Sequence, residues 1–296
     1  MTVYPLEFRL GPLNLTGYGL MMMVGFLVAG WVIQRDLRER RMNEEYAADI
    51  VFAAVVGGIV GAKLWYLFLA GEWGPVWRFV TLDWGNVNWG SLRGGFVWYG
   101  GFLGGVAAVL VMGWRKGVPA RWTMELTAAP LAVGYALGRV GCFLVNDDYG
   151  IPSSLPWAMK FPGGLPPTTV ANLERMHVTF PPGTSPAELV AVHPTQIYET
   201  TLMLAAFWWL WRLRDHRHGT GWRFGVYLVL AGVERFTVEF LRAKDDHLLG
   251  PVTLAQVTSV ALILVGLFLM RRLWEPETTT AVVPKSLSRQ PAPVSR

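Results

Sequence analysis

Apolar positions in this chain run together instead of alternating with polar ones. Seven apolar runs cover about 17–33, 48–70, 95–114, 124–145, 195–212, 222–241 and 252–270. At about 17–25 residues, each is long enough for a helix to cross a bilayer. The third is rich in glycine and the fourth is interrupted by charge. Glycines recur at small-xxx-small spacing as Gly57/Gly61, Gly101/Gly105 and Gly134/Gly138, a pattern that lets helix backbones approach closely and carries no chemistry.

The polar intervals set the orientation. Arg35, Arg38, Arg40 and Arg41 follow the first run; Arg115, Lys116 and Arg121 follow the third. Arg212, Arg214, Arg217 and Arg223 surround the interval after the fifth, and Arg271, Arg272, Lys285, Arg289 and Arg296 follow the last. The other side is sparser, with Arg9, Arg78, Arg93, Arg242 and Lys244. Positive charge collects on the cytoplasmic side, so the N-terminus is expected outside and the C-terminus in the cytoplasm, in keeping with seven crossings.

Two outer intervals are long. Residues 71–94 carry Trp73, Trp77, Trp84 and Trp89, aromatics suited to the headgroup level. Residues 146–192, rich in Pro, Gly and Thr with no helical period, read as a small extracytoplasmic cap. The remainder from about Glu275 has the polar, Pro- and Ser-containing composition of a disordered cytoplasmic tail. The expectation is an all-α integral membrane protein: a seven-helix bundle at 1–272 with a cap insertion, then a tail at 273–296.

Composition agrees. The chain of 296 residues is 52% hydrophobic and 16% charged, with 15 Trp; soluble domains average about 25% charged. Its formal charge of +5 lies mostly in short loops, where it sets topology, so nucleic acid is not an expected partner. A single cysteine, Cys142, excludes an internal disulfide and a cysteine-based zinc cluster. Within its apolar run it reads as a small packed residue. The first ten residues lack a basic stretch leading into an apolar core, so no cleavable leader is expected.

Charges inside the apolar runs narrow the chemistry. They are Lys63, Glu125, Arg139, Glu199, Glu234, Arg235 and Glu239. An arginine at a bilayer centre costs roughly 2.5–3.5 kcal/mol or more and keeps its charge. Arg139 therefore needs an anion, a partner carboxylate or a water-filled cavity. Arg235 and Glu239 are four apart and can pair on one helix. Lys63 and Glu125 can snorkel or pair across helices. Arg139, Arg235 and Arg242 place three guanidiniums towards the outer half of the bundle, and a guanidinium matches phosphate in a planar, bidentate way. A phospholipid headgroup pocket follows. His193-Pro-Thr-Gln-Ile-Tyr-Glu199 opens the fifth run with His, Gln, Tyr and Glu, and its histidine reads as structural or as a base. Tyr18 reads equally as a belt aromatic or a pocket hydroxyl. Gly100, Gly101, Gly104 and Gly105 after Tyr99 allow backbone to approach a ligand.

Four stretches together resemble the prolipoprotein diacylglyceryl transferase family, over residues 5 to 272. Gly17-Tyr18-Gly-Leu-Met21 resembles its W-Y-G-L-M. Gly138-Arg139-Val-Gly141-Cys-Phe143, with Tyr149-Gly150, resembles G-R-x-G-N-F-x-N-G-E-x-W-G. His193 to Glu199 resembles H-P-[ST]-Q-L-Y-E, and Arg235-Phe-Thr-Val-Glu239-Phe240-Leu-Arg242 resembles R-x-x-[VI]-E-F-x-R. The resemblance implies transfer of the diacylglyceryl group of phosphatidylglycerol to the thiol of a prolipoprotein lipobox cysteine, without cofactor or metal, in the bacterial inner membrane. It implies catalytic roles for Arg139, Arg235, Tyr99 and His193. It implies phosphatidylglycerol contacts from Arg139, Arg235, Arg242, Tyr18, Asp147, Gly150, Gln196 and Glu239, with Glu239 holding Arg235.

The chain also departs from the pattern. Tyr99 stands where the family has the histidine of H-G-G, and a phenol of pKa near 10 is a poor base at neutral pH. Cys142 and Val145 replace two asparagines, and Asp147 shortens a glutamate. Asp147 and Asp148 can still accept a proton or hold an arginine at that rim. Two alternatives remain beside the usual reaction: a divergent member with another acceptor or headgroup, and a non-catalytic lipid-binding membrane protein. With no internal repeat, a duplicated-half transporter is disfavoured. The oligomeric state is left open.

Overall fold

The computed structural model describes residues 1–10, 13–71, 73–74, 77–78, 81, 97–243, 247–249, 252–275 and 283–288. Its elements are β1 (Glu7–Leu10), β2 (Leu13–Thr16), α1 (Gly17–Glu39), α2 (Glu45–Ala70), α3 (Trp98–Arg115), α4 (Ala120–Val145), α5 (Val170–Glu174), α6 (Thr195–Arg212), α7 (Trp222–Glu239), β3 (His247–Leu249), β4 (Val252–Thr253) and α8 (Leu254–Arg272). The protein is mostly helical. Among the described residues there are eight α-helices, against the expected seven; the addition is the five-residue α5 in the cap. Two short antiparallel hairpins, β1–β2 and β3–β4, are also present.

Four helices, α1, α2, α4 and α8, are long and apolar enough to cross a membrane. The other long helices are shorter and less apolar for visible reasons. Glycines and a terminal Trp and Arg dilute α3. Threonines and tryptophans dilute α6, and α7 carries Arg223, Glu234, Arg235 and Glu239. Of the tryptophan-rich interval, Trp84 and Trp89 lie outside the described residues, as do Arg93 and Lys244; Trp73 and Trp77 are exposed.

The chain divides into two compact units: residues 1–32 with 124–281, and residues 33–123 with 282–296. In the first, a core forms where Ala129, Ala132 and Ala136 of α4 meet Met203, Ala206 and Leu210 of α6 and Trp222 and Val226 of α7. The alanines are short enough for two bulkier helices to close over them. Next to α7, α8 fits through Gly225, Gly232 and Gly266. A Cβ on Gly232 would lie 2.8 Å from the Ser259 carbonyl. Thr253 starts α8 with a reciprocal capping box to Gln256.

The cap has its own small core of Tyr149, Phe161, Leu173 and Val192, with the Tyr149 and Phe161 rings stacked at 5.7 Å. Isolated bridges, Pro152 to Val192 and Thr169 to Leu189, hold its irregular chain. The N-terminal segment ties to the cap, the N–H of Val3 donating to the Lys160 carbonyl (2.9 Å), and to the end of α4, the N–H of Leu6 donating to the Leu144 carbonyl (2.7 Å).

In the second unit α2 packs on α3 through glycine. A Cβ on Gly104 would lie 2.4 Å from the Gly57 carbonyl and 2.7 Å from Gly61 Cα; one on Gly100 would lie 2.5 Å from the Gly61 carbonyl. The expected partners, Gly101 and Gly105, sit one residue further round, at 3.4 Å from Ala62 Cβ and the Ala54 carbonyl. Gly134 and Gly138 of α4 have no described atom within 4 Å of an added Cβ, although a Cβ on Gly25 of α1 would lie 3.5 Å from the Gly134 carbonyl. In this unit Lys116 pairs with Asp49 at 2.5 Å, and Lys63 lies over the Tyr66 ring at 5.1 Å.

Candidate active site

The first unit gathers several charged residues of its apolar helices into a network centred on Glu199. Glu199 lies one turn into α6, fully buried. Arg139, two turns before the end of α4, donates from Nε to Glu199 Oε2 at 2.6 Å and pairs with it again through Nη2. Tyr135, one turn earlier, donates its hydroxyl to Glu199 Oε1 (3.3 Å) and offers its ring to Arg139 at 5.8 Å. From α7, Arg235 approaches Glu199 at 3.7 Å and pairs with Glu239 at 2.7 Å. The i,i+4 pairing expected for those two is present. Arg242, just past α7, reaches Glu199 at 3.5 Å and Glu239 at 3.6 Å. A buried charge is tolerated when it is paired and hydrogen-bonded, and these three guanidiniums share carboxylates, although Arg235 Nη1, Arg242 Nε and the Glu239 carboxylate are paired by charge without a hydrogen bond.

A loop after α4 closes the network at the end of that helix. Asn146 and Asp148 adopt left-handed backbone, φ 59° and 57°, which Asn and Asp tolerate better than most residues. The Asp148 carboxylate bridges two arginines: Oδ2 accepts from Arg139 Nη1 at 2.9 Å and Oδ1 from Arg242 Nη2 at 2.5 Å. The first residues of α6 pin the same loop from below. Thr195 donates from Oγ1 to the Asp148 carbonyl (2.7 Å), and Gln196 from Nε2 to the Asp147 carbonyl (2.5 Å). Gln196 therefore acts on backbone and holds the loop.

Gly150 is a spacer. Its N–H donates to the His193 carbonyl (2.9 Å), and a Cβ there would lie 2.3 Å from the Leu241 carbonyl. A side chain would push the Arg242 segment away. Asp147 is half-buried, and its carboxyl is held above the ordinary range, first by burial, then by the charge of Asp148, with Arg139 and Arg242 pulling the other way. Cys142 is buried with its sulfur 3.5 Å from Arg139 Nη1. Tyr18, the second residue of α1, is brought alongside: a Cβ on Gly141 would lie 3.2 Å from its ring.

His193 joins the site through its backbone. Its ring Nδ1 lies 3.2 Å from the Tyr198 hydroxyl, which also accepts from Trp157 Nε1 at 2.8 Å. Partial burial holds the imidazole below its ordinary pKa. Tyr99, in the other unit, is the second residue of α3 and is exposed. Glu125 belongs to a separate buried pair with Arg223 (3.1 Å) and His216 (3.1 Å), a bracing of α4 on α7 across helices.

Tyr135 is the member that the sequence does not single out, and Glu199, although conspicuous as a charge in an apolar run that closes the His193–Glu199 stretch, is not assigned to the arginines by the sequence. Glu199 does carry a signal, being a carboxylate in an apolar helix that no nearby cation on the same helix can neutralise. Tyr135 carries none, because one tyrosine in an apolar run is unremarkable until Glu199 is placed beside it.

The sequence profile of the prolipoprotein diacylglyceryl transferase family matches residues 5–272. The chain belongs to that family. It is similar to the phosphatidylglycerol–prolipoprotein diacylglyceryl transferase of Nitratidesulfovibrio vulgaris (strain Hildenborough), 31% identical over 277 residues, covering 90% of this chain and 93% of the relative. The protein of the same name in Clostridium tetani is 29% identical over 265 residues, covering 89% and 95%. That of Thermosynechococcus vestitus is 30% identical over 268 residues, covering 90% and 91%. Against the family motif, Asn146 takes the place of a glycine at a left-handed position, the substitution that backbone geometry tolerates best. The family arginines Arg139, Arg235 and Arg242 come from α4 and the end of α7, 103 residues apart at the extremes, and meet on one carboxylate.

Proposed function

We propose that this protein transfers the diacylglyceryl group of phosphatidylglycerol to the lipobox cysteine thiol of a prolipoprotein, in the bacterial inner membrane. The carrying observation is the bridge across Arg139 and Arg242. Two guanidinium forks converge on a single two-oxygen anion, which is the arrangement that a lipid phosphodiester requires. Thiol sulfur forms a C–S bond to the glyceryl carbon while the C–O bond to phosphate breaks. The electron pair leaves with glycerol phosphate, and the thiol proton passes to a base. Arg139, Arg235 and Arg242 stabilise the charge that develops on the leaving phosphate. Glu239 and Glu199 aim the guanidiniums, Gln196 and Gly150 fix the loop and the Arg242 segment, and Tyr18 and Asp147 line the rim. Tyr99 and His193 are the candidates for the thiol side. The reaction calls for no metal or cofactor.

The topology proposed with it has seven crossings, the N-terminus outside and the C-terminus in the cytoplasm. An 18-residue helix rises about 27 Å, close to the ~30 Å hydrocarbon core, so α3, α6 and α7 are long enough to span. Arginine-rich intervals on one side support the orientation. Tyr99 in place of the family histidine favours one second reading, a member with a different acceptor.

Purified protein supplied with labelled phosphatidylglycerol and a lipobox peptide tests the assignment. A thioether-linked diacylglyceryl peptide is expected, and its absence beside an active relative sinks the reading. Arg139→Ala is expected to lower the rate by about 100-fold or more, the scale of removing one preorganised donor. Arg139→Lys retains only a small fraction, because a point charge does not reproduce the fork.

A further inference from the structure

The three guanidiniums of Arg139, Arg235 and Arg242 pair directly with three carboxylates, Glu199, Glu239 and Asp148, and Asp147 and Glu234 lie within electrostatic reach of the same arginines. A phosphodiester entering among them adds a negative charge where charge is poorly solvated. One of the carboxylates must then give way or be neutralised.

Their positions are unequal. The side chains of Glu199 and Glu239 are 0% and 2% exposed and project from helices α6 and α7. Asp148 is 28% exposed and sits on a loop. Its carbonyl is fixed by Thr195, so its carboxylate can leave by side-chain rotation alone. Each of its two oxygens meets a different guanidinium, at 2.9 Å and 2.5 Å. The two free oxygens of a phosphodiester would meet the same two.

We propose that Asp148 is an internal occupant of the phosphate seat: it holds Arg139 and Arg242 in register when no lipid is bound and is displaced by the lipid phosphate. It is a positioning residue and a competitor at once, setting how tightly an anionic headgroup binds. The inference rests on the reading that this seat receives a lipid phosphate.

The test compares wild type with Asp148→Asn in detergent micelles, titrated with dioleoyl phosphatidylglycerol and followed by tryptophan fluorescence and thermal unfolding. The lipid dissociation constant is expected to fall about three- to tenfold in the variant, less than the full strength of two charge-assisted hydrogen bonds because the lipid regains them. Tm without lipid falls, while the rise produced by lipid grows. Dioleoylglycerol, which lacks the phosphate, binds both proteins alike. Inorganic phosphate leaves lipid binding unchanged in both; strong competition in the variant assigns the seat to free phosphate and overturns the lipid form of the proposal. Unchanged or weakened phosphatidylglycerol affinity in Asp148→Asn makes Asp148 a support of the seat and overturns it outright.

A measurement on wild type covers a variant that does not fold. Coupling of Asp148 to a water-soluble carbodiimide, read by peptide mass, should increase when phosphatidylglycerol binds; a decrease means that the carboxylate stays beneath the lipid. None of these readouts needs turnover. The expected affinity pattern without transfer defeats the transferase reading and keeps the displacement, and transfer with unchanged affinity does the reverse.

Discussion

At the scale of the residue, Asp147 and Glu199 are both carboxylates beside arginine, and their surroundings give them opposite consequences. Asp147 is held above its ordinary value by burial and by Asp148. An acid raised in this way binds more protons folded than unfolded, so its ionisation lowers stability as pH climbs from its ordinary value through its folded one. Asp147→Asn is therefore expected to raise Tm at pH 7 and to change nothing below 3.8, where both states are protonated. Thermal unfolding at the two pH values decides it; an equal gain at both means that the effect is not ionisation. Glu199 has Arg139, Arg235 and Arg242 all turned towards it. Breaking a buried pair by removing one partner costs about 3–5 kcal/mol. Glu199→Gln, which keeps the shape and one acceptor, should fall near the lower end and reduce transfer together with Tm. Full activity with a lowered Tm would make Glu199 a brace with no part in aiming the arginines. Arg139 announces itself in the sequence because charge in an apolar run is conspicuous. Its pairing with Glu199 does not, because pairing across 60 residues is a property of helix packing and leaves no local pattern.

Among the elements, α2 and α3 show where pattern reading stops. Both Gly100/Gly104 and Gly101/Gly105 have small-xxx-small spacing, so spacing alone identifies the pair of helices but not the face. Packing selects Gly100/Gly104, the set against Gly57 and Gly61. Gly104→Leu should force the helices apart, with a loss on the order of 1–3 kcal/mol or more from overpacking. Gly105→Leu, whose Cβ starts at ordinary contact of 3.4 Å, should be milder. Thermal unfolding of the two variants ranks them, and the reverse order would discard this helix contact. The helix intervals themselves were legible, because length and apolar run are local properties. The cap was legible only as a place where periodicity ends. Its order comes from bridges such as Met159 to Val192 and Thr169 to Leu189, pairings between segments with no period of their own, and α5 is too short to leave one.

For the whole molecule, orientation is the property that follows from charge distribution alone. Single cysteines at Ser185, in the cap, and Arg217, between α6 and α7, report it, since Cys142 is buried. A membrane-impermeant maleimide on intact cells should label Ser185→Cys, and Arg217→Cys only after permeabilisation; the reverse pattern would invert the topology. The Glu199 network also bears on how such a chain is made. Arg139 is synthesised 60 residues ahead of Glu199 and 103 residues ahead of Arg242, so α4 emerges from the ribosome carrying a charge that has only the nearby Asp148 and not yet its buried partner. Alone in lipid that charge would cost roughly 2.5–3.5 kcal/mol or more. Glu199 on α6 faces the same difficulty until the helices meet, whereas Arg235 and Glu239 of α7 already have each other. In the proposed seven-crossing topology, membrane integration of α4, α6 and α7 is thereby tied to their mutual association: they leave the insertion machinery most favourably as a group, and a nascent chain stopped short of α6 retains an incompletely neutralised helix.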